Sequence, residues 1–189
     1  MKRFEPLAAF FEKHRQRRVV YLTFGTMAQA SGPIFESIRH LLDADIAVVS
    51  SIKPEGLTAP QEELYYFGSY LPMHFICSNV DLMIHQCGSG TYHYPILHNV
   101  PAITIGTQCF DREHVALRLE ECGVSVHLPA PNECEDFVKL FKDTVEKYFD
   151  PTGVFMEAKR QRLAALNEKI KLTAAAFDFE SVLRTTVAQ

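Results

Sequence analysis

One short segment combines the residue types that can hold an anionic group. Residues 86–91 (QCGSGT) follow the apolar run at 80–85 and precede a stretch with helical spacing. The two glycines let the backbone pass close to a ligand, and exposed amides at a helix start favour an anion such as a diphosphate. Ser89 and Thr91 add hydroxyl donors. The alternative is a tight strand-to-helix turn in which Ser89 caps the helix.

Other chemistry is less well supported by the spacing of the residues. The turn is neither a GxGxxG fingerprint nor a Walker loop, which disfavours dinucleotide binding and ATP hydrolysis. Cys87 at a helix start is a candidate nucleophile, with a small residue that has no chemical role as the alternative. His93, His98 and His114 do not share one helix face, so we predict no metal site and no cofactor.

Apolar runs that alternate with helical patterns predict the elements that position this turn. Strands are expected at residues 19–25, 45–51, 64–70, 80–85, 101–106 and 124–128. Helices are expected after Pro33, from the turn to about His98, at 111–122, and three times after residue 136, the last near 179–187. Pro54, Gly56 and Pro60 predict a loop at 53–63.

This alternation predicts an α/β fold, a Rossmann-like doubly wound parallel sheet of about six strands with helices on both faces and extra C-terminal helices. The 189 residues suffice for one well-cored domain. We expect a linker or helix at 1–18, the sheet domain at 19–150, and helices at 151–189 that pack on it or on a further N-terminal domain. Ligands of such sheets bind beyond the carboxyl ends of the strands, here after Phe24, Tyr70, His85 and Gly106.

Composition narrows the class of partner. A net charge of −4 gives no reason to expect nucleic acid. The five cysteines are scattered without a CxxC pair, which favours a reducing compartment. The N-terminal segment lacks the apolar core of a secretory signal, and no apolar stretch is long enough to span a membrane. We therefore expect a cytoplasmic protein.

Residues 81–123 resemble the donor-binding signature of the family 1 glycosyltransferases, the group of UDP-glucuronosyltransferases, plant flavonoid glucosyltransferases and antibiotic glycosyltransferases. That signature has a His-Gly-Gly-x-Gly-Thr type turn, a helix, a GxP before the next strand, and an Asp-Gln pair opening the next helix. This chain has QCGSGT, NVP, PAITIG and Asp111 in the same order. Residues 19–27 are similar to the first strand of the family's C-terminal domain, and 70–76 (YLPMHFI) to its W-x-P-Q segment.

The resemblance implies the C-terminal, nucleotide-sugar-binding domain of a two-domain (GT-B) enzyme. Residues of the turn would bind the diphosphate, Tyr70 would stack on the base, and Asp111 would accept hydrogen bonds from sugar hydroxyls. The implied donor-binding set is Gly25, Thr26, Tyr70, Met73, Gln86, Cys87, Gly88, Ser89, Gly90, Thr91, Tyr94, Asp111 and Arg112. The alternatives are that Tyr70 ends a strand as ordinary core and that Asp111 is an N-cap.

Several positions depart from the family's pattern. Its diphosphate-binding histidine falls on Gln86, which can donate to a phosphate but cannot become cationic. Its ribose-binding glutamate falls on Tyr94, and the glutamine of W-x-P-Q falls on Met73. Asp111 is followed by Arg112 in place of glutamine, and Arg112 either contacts a phosphate or sugar carboxylate or forms a surface salt bridge.

The function implied is the donor-binding half of an inverting glycosyltransferase that transfers a sugar to an acceptor hydroxyl without an essential metal. UDP is the expected nucleotide and thymidine diphosphate the second choice. The general base is expected on an N-terminal acceptor-binding domain or partner chain, so no catalytic residue is identified in this chain, and alone it is expected to be inactive. The alternatives are a degenerate domain serving as a binding or scaffolding module and the donor-binding subunit of a two-chain enzyme.

Overall fold

The structure, a computed structural model, describes residues 4–24 and 32–176. In these ranges six strands form one sheet, namely β1 (Val19–Thr23), β2 (Ala47–Ser50), β3 (Tyr65–Phe67), β4 (Leu82–His85), β5 (Ala102–Ile105) and β6 (Ser125–Leu128). The helices of the same ranges are α1 (Glu5–Lys13), α2 (Gly32–Asp43), α3 (Ala59–Glu63), α4 (Met73–Cys77), α5 (His93–Leu97), α6 (Phe110–Glu121), α7 (Phe137–Tyr148) and α8 (Val154–Ala176). The predicted fold class, a Rossmann-like α/β sheet with extra C-terminal helices, is confirmed.

All neighbouring strands pair in parallel, in the order β3-β2-β1-β4-β5-β6. From β1 the chain moves outward to β2 and β3, then returns to place β4 on the other side of β1. Because crossovers between parallel strands are right-handed, this reversal sends α2 and α5 to opposite faces of the sheet. The carboxyl ends of β1 and β4 therefore form the switch point of the sheet, where ligands of other doubly wound sheets bind.

Side chains of each strand alternate between two apolar layers. Val20 and Leu22 of β1 pack in a cluster with α2 and α7, whereas Val19 and Tyr21 pack on the other face with α1 and α4. A third cluster joins α5, α6 and α8 around Leu163. The central strands are buried on both faces, which explains why they are nearly continuous apolar runs in the sequence.

The structure differs from the sequence prediction in the segment between β2 and β4. Residues 59–63, expected as loop, form α3, because the Gln61 side chain accepts the Thr58 backbone N–H at 3.0 Å and Pro60 favours a first helical turn. The third strand, expected at 64–70, is limited to Tyr65–Phe67 at the sheet edge. The short helix α4 was not expected at all. The last predicted helix, at 179–187, lies outside the described residues.

We predict that Tyr148→Phe lowers the free energy of unfolding by about 1–2 kcal/mol, since it removes a buried hydrogen bond. The Tyr148 hydroxyl donates to the Ala102 carbonyl of β5 at 2.7 Å, and the side chain is 1% exposed. Urea unfolding measures the change. Tyr66→Phe is the matched control, because Tyr66 is half-buried and makes no hydroxyl hydrogen bond among the described residues. Equal stability of the Tyr148 variant and the wild type would show that this bond adds nothing.

Candidate functional site

The turn at residues 86–91 lies where the strand order reverses, directly after β4. The N–H groups of Thr91 and Tyr92 both donate to the Gly88 carbonyl, at 2.8 and 3.2 Å, and close the turn. Helix α5 begins only at His93, with Tyr92 as its N-cap. The alternative in which Ser89 caps this helix is therefore wrong, and the expected longer helix from the turn is limited to five residues.

Three consecutive amides in this turn have no partner among residues 4–24 and 32–176. Within the described residues, the N–H groups of Gly88, Ser89 and Gly90 donate to no protein acceptor. A Cβ built on Gly90 meets no atom within 4 Å, and one on Gly88 meets only the Thr91 hydroxyl at 3.9 Å. Protein packing does not explain these glycines, whereas close approach of a ligand does. Successive free N–H groups of this kind form anion-binding concavities.

His85, the last residue of β4, supports the turn through a hydrogen bond. Cys87 adopts a left-handed φ of 52°, which is strained for a residue other than glycine. Its N–H donates to His85 Nδ1 at 3.0 Å, which fixes the bend. Accepting this bond leaves the proton of the neutral ring on Nε2, and Nε2 has no partner in the described part of the chain. Burial lowers the pKa of His85 to about 4, so the ring is neutral at pH 7.

His85 belongs to a row of polar side chains at the carboxyl edge of the sheet. Thr23, His85, Thr104 and His127 occupy matching positions on β1, β4, β5 and β6. Thr23 lies 3.3 Å from Ser51, and Thr104 lies 3.0 Å from His127 Nδ1. The sequence prediction gave neither His85 nor His127 a role. For His85, its position at the end of a strand, two residues after the buried Met83, is the signal that could have identified it.

Cys87 is not an activated nucleophile. Its side chain is 2% exposed and packs in the apolar cluster of α5, α6 and α8. Burial, and secondly the nearby Glu113 carboxylate, raise the pKa of the thiol to about 12. The thiolate that nucleophilic chemistry needs is therefore scarce at pH 7. The alternative of a small residue that has no chemical role fits this position.

The residues predicted to hold the base and ribose lie on two neighbouring short helices, α4 and α5, and in the segment before α4. Tyr70 is 68% exposed, and Met73 begins α4 after the N-cap Pro72. Tyr94 of α5 packs with Met73 against the same apolar cluster, and its ring meets His74 edge-on at 4.9 Å. Tyr70 is thus surface-exposed, and the alternative in which it is ordinary core is wrong. Tyr94 fills its position with an apolar ring that offers no carboxylate.

Asp111 and Arg112 lie in the first turn of α6, beyond β5. The N-cap of this helix is Cys109, so the alternative in which Asp111 is the N-cap is wrong. The Cys109 thiol donates to Asp111 Oδ1 at 2.9 Å, and this hydrogen bond lowers the pKa of the exposed Asp111 carboxyl. Arg112 makes no ion pair with any residue in the described ranges, contrary to the surface salt bridge considered for it.

A cleft of about 370 Å³ opens beside the turn. Its described lining residues are Phe24, Ile34, Gln86, Gly106, Thr107, Gln108, Ala130, Pro131 and Asn132. None of these residues is charged, and the side-chain oxygen of Gln86 is buried without a partner among the described residues. Carboxamides and hydroxyls both donate and accept, so this lining suits a ligand with hydroxyl groups. Gly25 and Thr26, expected near the diphosphate, lie outside the described residues.

The described residues, 4–24 and 32–176, were compared with the requirements of a metal site and of a membrane span. No three His, Cys, Asp or Glu side chains in these ranges come together in a way that could hold a metal ion. No helix of these ranges is both long and apolar enough to cross a lipid bilayer.

Curated relatives found by sequence comparison are glycosyltransferases, although no family model matches the chain. The chain is 29% identical over 126 residues to 4'-demethylrebeccamycin synthase of Lentzea aerocolonigenes, covering 66% of this chain and 30% of that protein. It is 25% identical over 154 residues to 3-alpha-mycarosylerythronolide B desosaminyl transferase of Saccharopolyspora erythraea, covering 78% and 35%. The chain therefore spans about a third of the length of these relatives.

Solved structures with the same fold are GT-B proteins. Apo UGT2 of Phytolacca americana superposes with a TM-score of 0.74 at 13% identity, covering 97% of this chain and 46% of that one. Os79 of O. sativa, solved in complex with UDP, gives 0.71 at 15% identity, covering 87% and 38%. The recognition made from the sequence is confirmed: the chain matches the C-terminal GT-B domain of family 1 glycosyltransferases.

We predict that the folded protein loses stability as the pH falls from 6.5 towards 4, and that His85→Asn reduces this loss. The pKa of His85 is lower in the folded than in the unfolded chain, so protonation favours unfolding. The resulting loss in the free energy of unfolding is small above about pH 6.5 and reaches about 3 kcal/mol near pH 4. Asparagine keeps an acceptor for the Cys87 N–H but does not titrate.

Urea unfolding at several pH values tests this prediction. His114→Asn, which replaces an exposed histidine, controls for the loss of an imidazole. A His85→Asn protein with the same pH dependence as the wild type would show that His85 is not the buried neutral group described here.

Proposed function

We propose that this chain, which matches the C-terminal domain of family 1 glycosyltransferases, is the donor-binding half of an inverting glycosyltransferase. Its ligand is a nucleoside diphosphate sugar, with UDP as the expected nucleotide. The observation that carries the proposal is the set of unpaired amides at Gly88, Ser89 and Gly90, at the reversal of strand order. A diphosphate supplies the acceptors that these amides lack.

The reaction that fits this site places developing negative charge on the diphosphate. In a single inverting displacement the acceptor oxygen bonds to the anomeric carbon as the sugar–phosphate bond breaks, and the diphosphate leaves with the electron pair. Fixed N–H donors stabilise that charge without reorganising during the reaction. The proton of the acceptor hydroxyl goes to a general base, which we place on an acceptor-binding domain or partner chain.

The departures from the family pattern change how the donor is held. Gln86 is neutral, so the backbone amides carry most of the phosphate contact on this side. Arg112, which has no ion pair among the described residues, is available for the phosphate or for an acidic sugar. The uncharged cleft beside Gln86 favours sugar hydroxyls. Asp111, exposed and held ionised by the Cys109 thiol, accepts hydrogen bonds from them.

A degenerate binding module is the second candidate, and Tyr94 is the observation that favours it. Where the resembled family has a ribose-binding glutamate, this chain has an aromatic ring that packs on the apolar cluster of α1 and α4 and meets His74 edge-on. That packing removes a polar contact to the ribose. A two-chain enzyme in which this chain is the donor-binding subunit fits the same comparisons, because the matches cover only 30% and 35% of the two relatives.

We predict that UDP binds the chain in calorimetric titrations with or without magnesium, and that Gly88→Ala weakens binding at least tenfold. The added methyl has room in the unliganded protein, at 3.9 Å from Thr91 Oγ1, but occupies the space in front of the amides. Such a loss corresponds to about 1.4 kcal/mol or more. Thymidine diphosphate and GDP serve as competitors that rank the bases.

Gly106→Ala is the control that shows what a glycine-to-alanine substitution does where the protein itself leaves no room for the methyl group. Its Cβ would lie 2.6 Å from the Ala130 backbone nitrogen, so this variant should lose thermal stability whereas Gly88→Ala should not. Absence of UDP binding at millimolar concentration by a folded chain would favour the degenerate module. Binding that is unaffected by Gly88→Ala would place the nucleotide elsewhere.

We also expect the isolated chain to transfer no sugar, because no general base for the acceptor is identified in it. Product formation from UDP-glucose and a phenolic acceptor, followed by mass spectrometry, measures this. Efficient turnover by the pure chain would contradict the assignment of this chain to the donor half alone.

A further inference from the structure

The carboxylate of Glu113 links the loop after β5 to the neighbouring strand. One oxygen, Oε1, accepts the backbone N–H of Thr107 at the start of the loop. The other oxygen, Oε2, lies 3.0 Å from Nε2 of His127 on β6. An ionised carboxylate is acceptor-only, so both partners donate. Through these two hydrogen bonds Glu113, in the first turn of α6, is linked to the start of the loop and to the sheet.

The other ring nitrogen of His127 and its backbone N–H are also hydrogen-bonded. Its Nδ1 lies 3.0 Å from the hydroxyl of Thr104 on β5, and its backbone N–H donates to Glu120 Oε1 at 2.8 Å. When Nε2 carries the proton, Nδ1 accepts from the Thr104 hydroxyl. The His127 side chain is 11% exposed, so its orientation is set by these partners and not by water. We call Thr104, His127, Glu113 and Thr107 the β5–β6 brace.

The brace fixes both ends of the segment that carries Asp111 and Arg112. The Thr107 hydroxyl accepts the Cys109 N–H at 3.2 Å, and the Cys109 thiol donates to Asp111 at 2.9 Å. The Cys109 carbonyl in turn accepts the N–H groups of Arg112 and Glu113, each at 3.1 Å. Every step from the brace to Asp111 is a hydrogen bond.

In the part of the chain that the structure describes, no buried side chain of residues 108–111 anchors this segment in place of the brace. Residues 108–111 are all exposed, and Phe110 is 87% exposed. By contrast, α6 itself is attached to the domain by Ala116 and Leu119, which are buried in the third apolar cluster. Loss of the brace should therefore release the loop while α6 and the sheet stay folded.

We propose that Glu113 is a positioning residue that orients Asp111 towards the sugar of the bound donor. This inference rests on the proposed function, because it assumes that a nucleotide sugar lies beside the turn. It assigns Glu113 an effect on the sugar end of the ligand and little effect on the nucleotide end, since the amides at residues 88–90 belong to a different loop.

Titration with UDP and with UDP-glucose tests the proposal on wild type, Glu113→Ala and Glu113→Gln. In Glu113→Ala we expect the affinity for UDP-glucose to fall about tenfold, as for the loss of one or two aligned hydrogen bonds, and that for UDP to change less than about twofold. Glu113→Gln should retain most of the affinity. Its amide oxygen can accept from Thr107 while His127 changes tautomer, so that Nε2 accepts from the amide and Nδ1–H donates to Thr104.

A merely structural role predicts a different result, because a general loosening of the domain weakens both ligands together. Equal losses for UDP and UDP-glucose, or no loss for either, would overturn the proposal. Wild-type protein that binds neither ligand would instead refute the proposed function, and the positioning role with it.

Amide hydrogen exchange of the wild type gives a test that needs no variant to fold. We expect the Thr107 amide to be protected although its neighbour Gln108 is exposed. In Glu113→Ala this protection should disappear while that of β4 and β5 persists. Exchange of the wild-type Thr107 amide at the rate of an open loop would overturn the brace itself.

Discussion

The parallel pairing of β1 with β4 is the constraint on which the rest of the site depends. It reverses the direction in which successive strands are added to the sheet, so that α2 and α5 cover opposite faces. The turn at 86–91 lies at this reversal because it follows β4 directly. The loop after β5, with Asp111 and Arg112, lies beside it because β5 is the next strand in the sheet.

The site relies on fixed dipoles more than on charge. His85 supports the strained backbone at Cys87 and stays neutral because burial lowers the pKa of its ring to about 4. Gln86 occupies a position where the resembled family has histidine and adds no charge. What remains for an anion are backbone N–H groups held in place before the ligand arrives, an arrangement that costs little to reorganise. A chain with a net charge of −4 can bind a diphosphate in this way.

The sequence predicted the features that depend on local pattern. The apolar runs identified all six strands to within a few residues, and the glycines at 88 and 90 identified the turn. The features it missed join residues that are distant along the chain. The contact between Glu113 and His127 depends on how α6 packs on β6. The support of Cys87 depends on a left-handed backbone conformation, which a cysteine in the sequence does not predict. The Cys87 thiol was a candidate nucleophile at a helix start but is buried in the cluster of α5, α6 and α8, which the sequence of the turn does not reveal.

The measurement that tests the central claim most directly is a two-dimensional ¹H–¹⁵N NMR titration of the chain with UDP. The amide resonances of Gly88, Ser89 and Gly90 should move together and saturate, because these N–H groups acquire acceptors. The amide of Gly123, which precedes β6 at the opposite edge of the sheet and already donates to the Glu120 carbonyl, should stay in place. Absence of movement at the three turn amides at millimolar UDP, or saturable movement confined to other residues, would contradict the account of this turn as the diphosphate site.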